Sequence, residues 1–137
     1  MKALIFTLLL FSGSAISFQS FSQAKMGQIC FIRAHGYVGS LVNDKVYIDD
    51  SLACKLKNNQ YSLHSVPIGK HTVSADGTGL SMQKRSEPFT ITVEEGKISY
   101  VDVVWANTVS CQEITENSAK VKLKKLKWNK QCSTASH

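Results

Sequence analysis

Between Lys45 and Gly77 apolar and polar side chains alternate with a period of two, and turn residues cut the alternation at short intervals. That pattern constrains the fold more than any other feature of the chain. A two-residue period turns one face of a strand toward a core, and each interruption reverses the chain. Asp50-Ser51, Asn58-Asn59 and Pro67-Ile68-Gly69 are the expected turns. Asx side chains bond nearby backbone, Pro presets φ, and Gly accepts positive φ. The stretch reads as a meander of short strands, and the flanking segments are expected to add to it.

Gln28 to Ala34 extends the pattern upstream. Cys30, Ile32 and Ala34 share one face, and Ile29, Phe31 and Arg33 the other. Both faces are apolar enough to place this strand inside a sheet rather than at an edge. His35 to Asn43 reads as a loop. In the meander, Val46 and Ile48 alternate with Tyr47 and Asp49. Leu52, Cys54 and Leu56 then oppose Ala53, Lys55 and Lys57. Tyr61 and Leu63 are expected to continue the inward set. Val73 is their expected cross-strand partner, which turns His64 outward.

Asp76 to Gly79 is a turn cluster, and Leu80 to Ser86 reads as a loop. Phe89, Ile91 and Val93 alternate with Thr90, Thr92 and Glu94, Glu95-Gly96 turns the chain, and Ile98 to Trp105 returns as a β-branched strand. After Cys111 the period changes. Ala119, Leu123 and Leu126 sit at helical spacing behind a cap at Thr115 or Asn117, although Val121 to Trp128 also reads as broken alternation. About eight short strands with frequent turns imply an all-β antiparallel sandwich, with a short C-terminal helix.

The ends of the chain suggest where it works. Lys2, the apolar run Ala3 to Phe11, the break at Ser12-Gly13-Ser14, and Ser22-Gln23-Ala24 have the layout of a secretory signal peptide. The run falls short of the roughly 20 apolar residues that cross a bilayer. The expected division is residues 1–24 as signal, 25–110 as sandwich and 111–137 as a Lys-rich extension. Cys30 follows Ile29 and lies too far along for a lipid-modified Cys, so an exported protein without a lipid anchor is expected, periplasmic or secreted. The formal net charge is +6. The signal takes one Lys and no acid with it, and the mature chain stays mildly basic.

Export brings oxidising conditions, and Cys30, Cys54, Cys111 and Cys132 all lie beyond the signal. They allow three pairings. Cys111–Cys132 with Cys30–Cys54 is the preferred one, and a loop of the second size stabilises by about 3 kcal/mol in the chain-entropy model. The alternative for the second pair is two buried thiols.

Taken together, the runs KVYIDD, NNQYSLHSV, PIGKHTVSA and EEGKISYVDVVW resemble a bacterial envelope family, domain of unknown function 2846, over Ile29 to Trp105. That family is related to the PEGA domains, whose hairpin carries Pro-x-Gly-x-His; here the hairpin is Pro67, Gly69 and His71. The resemblance implies a PEGA-like or transthyretin-like sandwich in the envelope and implies no known activity. Many relatives look like lipoproteins, and the missing lipid-modified Cys departs from them. Cys111 and Cys132 are also peculiar to this chain.

Few residues point to chemistry. His35, His64 and His71 with Asp49 or Asp50 are the only candidate metal ligands, and outward and inward His residues do not converge. Asp49-Asp50 and Glu94-Glu95 fit solvated turns better than an acid–base pair. No Gly-x-Ser-x-Gly elbow or phosphate-binding glycine loop occurs. No catalytic residue, cofactor or metal is assigned. Lys120, Lys122, Lys124, Lys125, Lys127 and Lys130, with Trp128 among them, form the one marked charge run. It reads as a solvated face whose Lys residues block edge pairing, or as a contact for anionic lipid or cell-wall polymer. Nucleic acid is not an expected partner of an exported chain. The expected function is an exported, non-enzymatic binding or accessory module of the envelope, its partner an envelope protein or a cell-wall or lipid surface. A small transthyretin-like hydrolase or metal-binding protein is the enzymatic alternative.

Overall fold

β-Branched and aromatic residues form strands wherever the period-two pattern predicts them. The computed structural model describes residues 23–34, 42–77 and 85–133. Residues 1–22 of the expected signal segment, His35 and the terminal His137 lie outside these.

The strands are β1 (Met26–Arg33), β2 (Asp44–Ile48), β3 (Ser51–Leu56), β4 (Gln60–Pro67), β5 (Gly69–Gly77), β6 (Phe89–Val93), β7 (Ile98–Trp105), β8 (Val109–Ile114) and β9 (Lys127–Trp128). One helix, α1 (Glu116–Leu123), separates β8 from β9. The strands make two sheets, ordered β8-β7-β1-β4-β9 and β3-β2-β5-β6. The pairings are antiparallel except β1 with β7 and β4 with β9. An all-β two-sheet sandwich with a short helix is therefore what the chain forms.

The inter-sheet core is aliphatic. Ile29 and Phe31 of β1 and Val101 and Val103 of β7 pack on Val46, Leu56, Val73, Ile91 and Val93 of the other sheet, all fully buried or nearly so. A second, smaller core lies outside the five-stranded sheet. There Cys30, Ile32 and Tyr100 meet Ala119 of α1, with Leu123, Leu126, Tyr61 and Leu63 packed around them. Two apolar faces on β1 thus have two separate uses, and β1 is central, as its sequence suggested.

This outer core overturns part of the expected meander. Of the strands in the expected meander, only β2 and β3 form a hairpin within one sheet. The turn there is Asp49-Asp50, one residue earlier than expected, with φ of 48° and 65°. Both residues occupy the left-handed region that Asp tolerates and that a tight hairpin of matching twist requires. The Asn58-Asn59 and Pro67-to-Gly69 turns are corners that carry the chain from one sheet to the other. β4 pairs with β1, and β5 with β2 and β6, so Leu63 and Val73 are not partners. The parity of β4 is also the reverse of that expected. Ser62, His64 and Val66 are buried, while Tyr61 and Leu63 face the helix side. Alternation alone cannot say which face is inward when a helix covers the other.

α1 begins where a cap was expected. Thr115 Oγ1 accepts a hydrogen bond from Ser118 N at 3.3 Å, and Glu116 lies in the first turn. β8 runs across residues 110 and 111, so Cys111 belongs to the sandwich and the extension begins at the cap.

Candidate functional site

The two sheets leave a strand edge each on the same side of the sandwich. β3 is outermost in one sheet and β9 in the other. The Cys54–Cys132 disulfide joins β3 to the turn that follows β9, linking residues 78 apart in sequence. This replaces the expected Cys111–Cys132 and Cys30–Cys54 pairing. Cys111 sits on β8, at the opposite edge of its sheet from β9. Cys30 faces the helix side while Cys54 faces the inter-sheet core. Cys30 and Cys111 are free, and burial pushes each thiol up to about 12, so neither is a nucleophile at neutral pH.

Beside the disulfide lies a groove of about 680 Å³. Lys55 and Lys57 of β3 form one wall, and Trp128 to Gln131 form the other. Local structure holds the second wall in place. Lys127 N donates to Asn59 O at 3.0 Å and Asn129 N to Tyr61 O at 2.8 Å, which seats β9 along β4. Asn129 Oδ1 accepts from Gln131 N and Cys132 N, shaping the turn that delivers the cysteine. Trp128 is 41% exposed; its Nε1 donates to Ser133 Oγ at 2.8 Å, and Lys130 Nζ lies 5.4 Å from the ring centroid. No acidic side chain lines this groove.

The Lys run does not act as one surface. Lys120 pairs with Glu116 at 2.7 Å, one turn back on α1. Lys122 reaches under the helix to Asp102 at 2.5 Å, and Asp102 is almost fully buried on β7. Lys124, Lys125 and Lys127 are exposed. Lys55 and Lys57 lie near the run only because β3 and β9 share one side of the sandwich, and the sequence reading left them out.

The hairpin motif is a corner clamp. His71 Nδ1 lies 2.6 Å from Asp49 Oδ2, and its Nε2 lies 2.7 Å from the Pro67 carbonyl. Both partners accept, so the ring satisfies both only as imidazolium. Desolvation opposes this charge, but the Asp49 hydrogen bond, the Pro67 carbonyl and the Asp49 charge together raise the His71 pKa. Asp49 also accepts from Thr72 N at 3.0 Å, and its own pKa is lowered by these bonds despite desolvation. Gly69 turns the corner at φ 126°, where a side chain would be strained.

His64 points inward, contrary to the sequence expectation. Its ring packs edge-on to Phe31 at 5.7 Å and bonds Ser62 Oγ at 2.8 Å. Burial lowers its pKa to about 4. The acidic pairs are dispersed: Asp49 bonds His71, Asp50 pairs with Arg85, Glu94 with Lys97, and Glu95 with Lys25. Among the described residues, no group of three or more His, Cys, Asp or Glu is placed to hold a metal ion.

The most buried charges are elsewhere. Arg33 and Asp44, both fully buried, pair at 2.7 Å between the sheets. Arg33 Nη1 donates to the Val42 and Leu56 carbonyls at 2.6 Å each, and Trp105 Nε1 donates to Asp44 Oδ2 at 2.9 Å. Desolvation pulls the Arg33 pKa down while Asp44 opposes it. This network joins the two sheets inside the core, with each charge set against the other and against backbone carbonyls or the Trp105 indole.

Comparison with family models, with curated proteins and with solved structures found no match.

Proposed function

We propose that this chain is an exported, non-enzymatic β-sandwich of the bacterial envelope that works as a binding module. The observation that carries the reading is the Cys54–Cys132 disulfide across the open side of the sandwich. Such a bond persists in oxidising compartments and is rare in reducing ones. The signal-like first 24 residues and the resemblance to envelope domains support the same compartment. A binding role rests on the groove beside the disulfide, where an exposed indole and unopposed Lys residues face solvent. The histidines and carboxylates, by contrast, are bound up in corners, the core and local ion pairs. Among the described residues no helix is long and apolar enough to cross a membrane.

Expression of the full chain in a bacterial host, followed by fractionation and intact mass, tests the reading. The expected product is periplasmic or secreted, begins at Lys25, and is two hydrogens lighter than the fully reduced chain. An unprocessed, fully reduced cytoplasmic chain would overturn it.

A second reading is favoured by Lys124, Lys125 and Lys127, which are exposed around the end of α1. In that reading they meet a flat anionic surface directly, as basic juxtamembrane segments do. Cosedimentation with anionic vesicles that is abolished by truncation at Asn117 is its expected signature.

A further inference from the structure

Seven of the ten acidic side chains sit in ion pairs. The other three, Asp76, Glu87 and Glu113, do not line the groove beside the disulfide. Residues outside the described segments carry no Asp or Glu at all. The positive charge of the groove therefore has no acidic side chain of this chain in its walls, and none that an undescribed segment could supply.

We propose that the groove binds an acidic polysaccharide chain, and that it does so only while Cys54–Cys132 is closed; the proposal rests on the reading of an exported binding module. Three features favour this ligand class. The site is concave, about 680 Å³ between a strand edge and a folded-back tail, which suits a chain lying along it better than a flat bilayer. Trp128 lines the groove and is 41% exposed. The C–H face of a pyranose ring is apolar and partly positive, which suits the negative face of an indole. The carboxamide of Gln131 supplies a donor and an acceptor for hydroxyl groups, which a run of acidic peptide side chains does not need. Lys130, beside the indole, meets a carboxylate carried on the stacked ring, and Lys55 and Lys57 meet those of neighbouring sugars.

The disulfide is the covalent link between the two walls. β9 contributes only two residues to its sheet, so the tether is the covalent reinforcement of a wall otherwise held by a few hydrogen bonds to β4. Reduction with dithiothreitol cleaves the S–S bond to two thiols. The reagent supplies two electrons and two protons and leaves as its cyclic disulfide.

Polygalacturonate titrated into the oxidised mature protein, followed by calorimetry and by Trp fluorescence, tests the proposal. Binding is expected for polygalacturonate and not for neutral dextran. Lys55→Gln/Lys57→Gln and Trp128→Ala are each expected to weaken it about tenfold, equivalent to one 1.4 kcal/mol step. Lys124→Gln/Lys125→Gln removes equal charge outside the groove and is expected to leave affinity within about twofold. Reduction, checked by circular dichroism to leave the sheets folded, is expected to abolish binding. Equal losses from the two Lys pairs, retained binding after reduction, or preference for phosphatidylglycerol vesicles or poly-glutamate over polygalacturonate would overturn it. Failure here with correct export and a closed disulfide would leave the envelope reading standing, whereas a reduced cytoplasmic chain would remove both.

Discussion

Arg33 shows what alternation can reveal about a single residue. Its parity places it with Ile29 and Phe31, on the face that proves to be the core, and a charge at such a position needs a buried partner. The partner, Asp44, comes from the other sheet and precedes the meander, so spacing gave no sign of it. Removing one member of a buried pair strands the other, at a cost of about 3–5 kcal/mol. Asp44→Ala should lose stability of that order in urea denaturation. Arg33→Met/Asp44→Leu should recover much of it, because no charge is left unpaired. The two histidines act in opposite directions with pH. His64 stays neutral in the fold down to about 4, while the unfolded chain takes up its proton near 6.5. The unfolded state thus binds more protons as pH falls, and His64 alone costs up to about 3 kcal/mol between those values. His71 has a raised pKa in the fold, so its contribution is full below 6.5 and is lost as pH rises through the raised value. Urea midpoints between pH 7 and 4 should fall, and His64→Gln should flatten that fall.

At the scale of elements, strand existence was legible and strand partnership was not. Phe89 to Val93 and Ile98 to Trp105 form strands where their β-branched alternation predicts them, and α1 starts at Thr115, one of two caps its sequence offered. Which sheet a strand joins depends on its turn geometry. Asn59 adopts φ 58° and Gly69 φ 126°, and each lies at a corner between sheets rather than in a hairpin. The inverted parity of β4 has the same origin: Tyr61 and Leu63 find apolar cover under α1, an element remote in sequence. The groove was half legible. Trp128 and the Lys residues around it stood out, but Lys55 and Lys57 joined them only through the pairing of β9 with β4. Two element-level predictions follow from contacts at the ends of β1 and β3. Gly27 on β1 has no room for a Cβ, which would lie 2.4 Å from both the Glu94 carbonyl and a Val93 methyl. Gly27→Ala should lower stability by about 1–3 kcal/mol, the usual cost of overpacking, read from thermal melts. Cys132→Ser opens a loop of 78 residues. In the chain-entropy model that costs about 4.5 kcal/mol, and measured values for such bonds run from about 2 to 5.

At the scale of the whole molecule, the described residues form a helix layer on a five-stranded sheet on a four-stranded sheet, closed along one side by a covalent bond. That bond ties β3 to one wall of the basic groove beside it, and the proposed export to an oxidising compartment is what would let it persist. Disulfide-linked peptide mapping of the mature protein, alkylated before unfolding, tests this most directly. The account predicts one linked pair of peptides containing Cys54 and Cys132, with Cys30 alkylated only after denaturation because it is buried, and Cys111, which is partly buried, in no disulfide. A Cys111–Cys132 linkage, or four cysteines free in protein isolated from the periplasm, would contradict it.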